Sequence, residues 1–295
     1  MNQPDYQARH GLYFALAAFG MWGLFPIYFK AVAEVPVLEL LAHRVVWSLL
    51  LLLSLVVLMK RWNSLVQVLG NRQLMGWLIL SAIAISVNWL IFTWAVTVDR
   101  ILETSLGYFM TPLVNVVMGV LFLGERLRRP QWVAVMLAVC GVCWQLWQIG
   151  YLPWVALALA VSFGLYGLLR KKAVVDASLG LCVETLLLLP MAVGYLVWLS
   201  MSGTLVFAHS RVEIDILLLS AGLLTSAPLV CYAAAAQRLN LSVIGLIQYL
   251  TPTISFLLAV FVYNEAFDVN QLVSFGFIWL GLIVFTADGL LARGL

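Results

Sequence analysis

Polar side chains are rare inside the long apolar stretches of this sequence, and those that occur there are the first candidates for chemistry. His43 and Arg44 lie early in one such stretch, with Trp47 three residues beyond Arg44 and four beyond His43. At helical spacing the three can share a face. Glu184 lies at a similar depth in another stretch, and a shift of 140 residues sets Arg44 on Glu184. An ionisable group at the centre of a membrane helix costs about 2.5 to 3.5 kcal/mol, so each of these needs an account. One account is recognition: Arg44 attracts an anionic group of a bound molecule, with His43 and Trp47 as polar and aromatic partners, and Glu184 takes a cationic group or a proton. The other is that Arg44 and Glu184 snorkel toward the nearer water layer.

Amides and aromatic rings extend the set. Asn88 and Trp89 fall mid-stretch, where an amide bonds either a ligand or a neighbouring helix. Tyr108 and Asn115 stand two turns apart on one face, and Gln248 and Tyr249 are the 140-shifted counterparts of Tyr108 and Phe109. Trp22 and Tyr166 correspond under a shift of 144. Rings in membrane proteins are commonly interfacial belts or packing, but these lie well inside their stretches, where a site between two halves would draw on both. Glu103 stands near a helix start and suits the positive end of that helix's own dipole. Pro112 and Pro252, again 140 apart, each remove a backbone hydrogen bond and are candidates for hinges or for static kinks. The basic runs Arg126 to Arg129 and Arg170 to Lys172 read as topology anchors and contacts to anionic lipid.

The elements that carry these residues follow from composition. Of 295 residues 64% are apolar and 10% charged, against roughly 25% charged in soluble chains. Runs of this kind are long enough to cross about 30 Å of hydrocarbon as helices. Hydrocarbon admits only helices or closed barrels, and stretches such as Leu49 to Met59 lack the alternation of a barrel strand. Ten spans are expected, near Gly11 to Phe29, Leu38 to Met59, Leu74 to Val96, Leu102 to Leu123, Trp132 to Ile149, Leu152 to Leu169, Leu179 to Leu199, Ile214 to Ala236, Ser242 to Tyr263 and Leu272 to Leu290. The eighth is the least clean, because Pro228 interrupts it. The first reads as an uncleaved span, since few apolar residues precede Ala15-Leu16-Ala17 and the run continues past it.

The four cysteines, Cys140, Cys143, Cys182 and Cys231, all fall inside spans. Cys140 and Cys143 have a CxxC spacing but lack the two further ligands of a structural zinc site, so buried packing is expected and no metal. The basic residues sit in loops and form no continuous face, which argues against nucleic acid as a partner.

Sliding the chain by 140 residues sets Thr111-Pro112 on Thr251-Pro252, Gly141 on Gly281, and Leu123-Gly124-Glu125 on Tyr263-Asn264-Glu265. A shift of 144 sets Phe19-Gly20-Met21-Trp22-Gly23 on Phe163-Gly164-Leu165-Tyr166-Gly167. The chain therefore reads as a duplication, with residues 1–150 and 151–295 as its copies. Five spans per copy is an odd number, so the second copy enters the membrane from the opposite side. An all-α membrane protein of two inverted five-helix repeats is expected, an arrangement typical of secondary carriers with a midplane site.

The strings AHRVVWS (42 to 48), NWLIFTWAV (88 to 96), ETSLGYFMTPLVN (103 to 115), LGERLRRPQW (123 to 132), SFGLYGLLRKK (162 to 172) and IQYLTPT (247 to 253) carry a resemblance. Over nearly its whole length the sequence resembles the EamA-type branch of the drug/metabolite transporter superfamily, and within it the RarD-type permeases. The resemblance implies ten spans, an inverted repeat, and export of small metabolites or drugs through a bacterial inner membrane. Asn264 departs from the pattern, since the first copy has Gly124 there, and leaves the second helix end without a glycine cap. The competing class is an intramembrane enzyme acting on lipid or peptide. No HExxH, no paired intramembrane aspartates and no Walker A run support an enzyme or an ATP-driven pump. No cofactor is called for, and the expected partners are a small-molecule substrate and the bilayer.

Lys and Arg fix the expected orientation. Arg9, Lys60, Arg61, Arg72, Arg126, Arg128, Arg129, Arg170, Lys171, Lys172, Arg238 and Arg293 fall on one side, against Lys30, Arg100 and Arg211 on the other. The rich side faces the cytoplasm, with both termini. A topology reporter fused after Arg211 is expected to read the non-cytoplasmic side; a cytoplasmic signal would invert the assignment.

Overall fold

The computed structural model describes residues 3–98, 100–264 and 269–291. It holds ten membrane-length helices, spans 1 to 10: Tyr6–Ala31, Val37–Leu58, Arg72–Thr97, Glu103–Leu123, Arg129–Gln148, Trp154–Lys172, Ala177–Ser202, Val212–Ala236, Leu241–Val262 and Asn270–Gly289. All ten coincide with the expected stretches, because uninterrupted apolar length is a strong signal. One element was not expected. The short helix Trp62–Gly70 buries Leu65 and Val68 and exposes Trp62 and Val66, the two-faced pattern of a helix lying along an interface.

Helix ends follow local chemistry. Asn71 caps span 3 by accepting from the Leu74 N–H at 3.1 Å, and Asp176 caps span 7 by accepting from Ser178 and Leu179. Asp176 also pairs with Arg61 at 3.0 Å. Burial alone would raise its carboxyl, but hydrogen bonds from Ser178, Arg61 and the Leu179 N–H hold it below its ordinary value. Gly124 ends span 4 with φ of 64°. Its shifted counterpart Asn264 adopts φ of 51°, so the second copy keeps the left-handed cap with asparagine, which tolerates that region better than other side chains do. Glu265, the counterpart of Glu125, lies outside the described residues, as does Arg293.

The prolines act unequally. Span 8 runs through Pro228, and span 4 through Pro112, without a break. Span 9 breaks at Tyr249 into Leu241–Gln248 and Leu250–Leu257, because Pro252 has no N–H to give the Gln248 carbonyl. It then ends in a π-helical turn, Leu258–Val262. Span 1 breaks likewise at Leu24, two residues before Pro26.

Packing runs mainly between the copies. Span 5 lies on span 10, span 4 on spans 6 and 9, span 3 on span 6, span 2 on spans 7 and 8, and span 1 on spans 8 and 9. Exchanging the copies sends the 4–6 contact to 9–1 and the 3–6 contact to 8–1, and returns 2–7, 4–9 and 5–10 to themselves. The contact map therefore has the two-fold symmetry of an inverted repeat, and the largest buried cluster draws on both copies. At the 5–10 crossing, a Cβ on Gly141 would come within 2.9 Å of the Ser274 carbonyl, and one on Gly281 within 2.9 Å of the Ala134 carbonyl. Residues 134 and 274 are themselves 140 apart. Small residues bring the helix backbones together here, and Ala134, Ala138 and Gly141 face span 10. That turns Cys140 and Cys143 outward, so both are exposed rather than buried as expected. Gly141→Leu and Gly281→Leu are each expected to lower stability by about 1 to 3 kcal/mol, to similar extents, read as the thermal unfolding midpoint of purified protein.

Candidate functional site

A cavity of about 780 Å³ lies between the copies. Its walls come from the later part of span 1 (Trp22, Phe25, Phe29), span 3 (Asn88, Trp89, Phe92), span 4 (Tyr108), span 6 (Phe163) and span 9 (Gln248, Pro252), with Arg44 of span 2. The lining reaches Thr104 and Ser105 in the first turn of span 4, Gln145 and Gln148 in the last turn of span 5, and Asn270 and Gln271 in the first turn of span 10. The cavity thus opens at the end of the bundle away from both termini.

Arg44 stands about 10 Å along span 2 from Val37 at the helix rise. Its Nε donates to Thr225 Oγ1 on span 8 at 2.9 Å, and its guanidinium carbon lies 4.9 Å over the Trp89 ring. No carboxylate among the described residues lies within ion-pair distance of it. His43 and Trp47 take a different face of the same helix, since adjacent residues are rotated by about 100°. Trp47 Nε1 donates to His43 Nδ1 at 3.1 Å, and the Phe207 ring lies 4.9 Å from His43. One turn earlier, Glu39 accepts the Val206 and Phe207 N–H groups at 2.9 and 3.0 Å. His43 and Trp47 therefore hold the 203–211 loop against span 2 and do not line the cavity.

The other candidates divide in the same way. Trp22, Asn88, Trp89, Tyr108, Gln248 and Pro252 line the cavity. Asn88 spends both amide hydrogens on span 6, at 2.9 Å to the Leu159 carbonyl and 3.0 Å to Ser162. Asn115 is buried behind the wall and donates to Gln248 Oε1 at 2.7 Å. Tyr249 is buried, its hydroxyl donating to the Phe109 carbonyl at 3.1 Å. Glu103 accepts the Val155 N–H at 3.2 Å and pairs with Arg100 at 2.9 Å, so it holds the start of span 6 rather than its own helix alone.

Tyr166 and Glu184 belong to the layers that close the other end. Phe163, Tyr166 and Arg170 descend span 6 in successive turns. Phe163 still faces the cavity and lies 5.7 Å from Trp22 and 5.2 Å from Tyr232 between ring centroids. Tyr166 stacks on Tyr232 at 5.9 Å. One turn below, Glu184 accepts from Ser81, Tyr166 and Arg170, the last at 3.4 Å. Arg170 is fully buried and also donates to the Ala177 carbonyl at 3.1 Å. The sequence places Arg170 in a basic anchor run and leaves Glu184 between a cation or proton site and a group reaching for water, yet each is the other's partner; Gly180, whose Cβ would occupy the guanidinium's place, makes the room. Beneath them Glu125 accepts the Leu241 and Ser242 N–H groups at 2.7 and 2.9 Å and so caps span 9 from the other copy, with Lys171 at 3.6 Å. Arg128 pairs with Asp288 at 2.6 Å.

The EamA-like transporter family model matches this chain twice, over residues 9–147 and 151–287. The chain belongs to the EamA-like transporter family. An uncharacterized transporter of Vibrio cholerae is 49% identical over 98% of this chain and 96% of its own length. Protein RarD of Escherichia coli K12 is 46% identical over 96% of each. A Pseudomonas aeruginosa relative named chloramphenicol-sensitive protein RarD is 34% identical over 93% of this chain and 92% of its own. A crystal structure shares the fold with a TM-score of 0.74 at 17% identity, covering 97% of this chain and 99% of that one. Like its EamA-family relatives, the protein is a multi-pass membrane transporter of the bacterial inner membrane.

Sequence reasoning missed Arg170, Glu125 and Thr225 as working residues. Arg170 was hidden in a basic run, Glu125 in a turn, and Thr225 carries no signal of its own. A buried ion pair loses most when one partner goes. Arg170→Met and Glu184→Met are each expected to cost about 3 kcal/mol, while the double variant recovers most of the loss; thermal unfolding of the three purified variants measures both.

Proposed function

We propose that the protein is a secondary carrier that exports a small polar or amphipathic metabolite or drug by alternating access, and that it is not an enzyme. The supporting observation is the cavity, open between the two copies at one end and closed at the other by aromatic and ionic layers. With the basic loops placed in the cytoplasm, the open end faces outward and the closed layers form the inner seal. An inverted repeat supplies a second arrangement of comparable energy, in which the copies exchange roles and the seal moves to the other end. A drug-sized amphipathic substrate agrees with the cavity volume and its aromatic walls, and with the chloramphenicol in one relative's name.

Glu184 is the proposed coupling group. A proton on its carboxylate removes the charge that holds Arg170. Tyr166 and Arg170 face it from span 6 and Ser81 from span 3, with Tyr232 of span 8 stacked on Tyr166. Inner opening then follows protonation. The break of span 9 at Pro252 is the proposed hinge, while Pro112 keeps span 4 continuous as its counterpart.

Metabolites released by cells with and without the protein identify a solute, and counterflow of that labelled solute in liposomes tests the carrier. Exchange is expected; chemical turnover without exchange would establish an enzyme instead. Glu184→Gln is expected to keep counterflow and lose the response to an imposed pH gradient, and an unchanged response removes Glu184 from coupling.

A further inference from the structure

We infer that the cavity is built for an organic anion with a planar apolar body and no ammonium group, an inference that rests on the carrier reading and names its substrate class. Among the described lining residues Arg44 is the one ionised side chain, and no Asp or Glu joins it. Carboxylates on neighbouring elements are committed elsewhere: Glu39 to the Val206 and Phe207 N–H groups, Glu103 to Arg100 and Val155, and Asp215 to the Ala208 N–H at 2.8 Å. The open cavity leaves this guanidinium to water, and a countercharge is free to arrive with a ligand.

The guanidinium is held in one orientation. Thr225 takes the Nε–H and Trp89 covers one face of the plane, while Nη1 and Nη2 carry no hydrogen bond to any described residue. Two parallel N–H donors fixed in this way match a carboxylate, and equally a sulfonate or phosphonate. Elsewhere in the lining, Asn115 occupies the Gln248 amide oxygen, which leaves the Gln248 NH2 as a second donor. The same cavity is lined by the rings of Trp22, Phe25, Phe29, Trp89, Phe92 and Tyr108, which favour a flat apolar body. Ring faces alone would also attract a cation. The fixed charge of Arg44 decides against one, because like charges in a low-dielectric cleft repel strongly. An amino-acid zwitterion presents the carboxylate but leaves its ammonium without a partner.

Four probes that share one ring system separate these charges: 2-naphthoate, 2-naphthamide, 2-naphthylmethylamine and 3-(2-naphthyl)alanine, titrated calorimetrically into purified protein. 2-Naphthoate is expected to bind at least about tenfold tighter than the other three. Arg44→Gln is expected to erase that preference, and Arg44→Lys to keep part of it. Equal or tighter binding of the amine, the amide or the zwitterion overturns the inference, as does an anion preference that survives in Arg44→Gln, or no binding by any probe. The wild-type series decides the charge preference even where a variant fails to fold, and Thr225→Val, which frees the guanidinium, is expected to narrow it. Anion-selective binding by a protein that exchanges no solute in liposomes would remove the carrier reading and leave the anion site standing. Exchange combined with a cation preference would do the reverse.

Discussion

A charged group moved from water into hydrocarbon loses its hydration, and a protein that keeps one in a membrane must supply a partner or leave access to water. That constraint divides this molecule. Toward the terminal end the main charged groups are answered: Glu184 by Arg170, Ser81 and Tyr166, Glu125 by Lys171 and the first N–H groups of span 9, Asp288 by Arg128. Toward the far end Arg44 is only half answered, by a threonine and an indole face. Where charges are matched the helices close on one another. Where one is left open, a cavity remains.

The scaffold beneath is symmetric, and the side chains are not. Gly141 and Gly281 meet Ser274 and Ala134 in reciprocal contacts, and Tyr249 bonds the carbonyl of its own counterpart Phe109 on the pseudo-axis. In the proposed cycle, a backbone arrangement of this kind has two ways to tilt. The polar residues break the symmetry, because Arg44 and Glu184 occupy equivalent positions with opposite signs. One meets a cavity and the other a buried arginine. Duplication thus supplies the common scaffold, and divergence gives each copy its own polar residues.

Legibility in the sequence followed how local each determinant is. Span lengths depend on contiguous composition, and all ten were readable. Internal repetition is also a property of the string, which is why the shift of 140 anticipated the reciprocal glycines. Faces were harder. His43 and Arg44 are neighbours in sequence but about 100° apart on the helix, and Trp47 followed His43, so the proposed trio split between a loop clamp and the cavity. Partnership was least legible. Nothing near Arg170 in the chain announces Glu184, which meets it only after two helices fold back, and Gly180 makes room without any signature beyond being small. Pro112 and Pro252 read alike, yet only the second breaks its helix, a difference the residue type does not announce.

Site and seal share material, and this bears on how one responds to the other. Trp22 and Phe163 form part of the cavity wall, and both touch the Tyr232 ring, which stacks on Tyr166, which donates to Glu184. Every link is a side-chain contact, and Phe163, Tyr166 and Arg170 follow one another down a single helix. Gly167 leaves the Tyr232 hydroxyl its place against span 6, so this stack has little slack. In the proposed cycle, a ligand that displaces Trp22 or Phe163 therefore meets the packing that holds the ion pair before it meets anything else. A proton on Glu184 acts on the same stack from below. In that proposed cycle, binding and protonation need no long-range path, because they work on opposite faces of one aromatic layer a few residues thick.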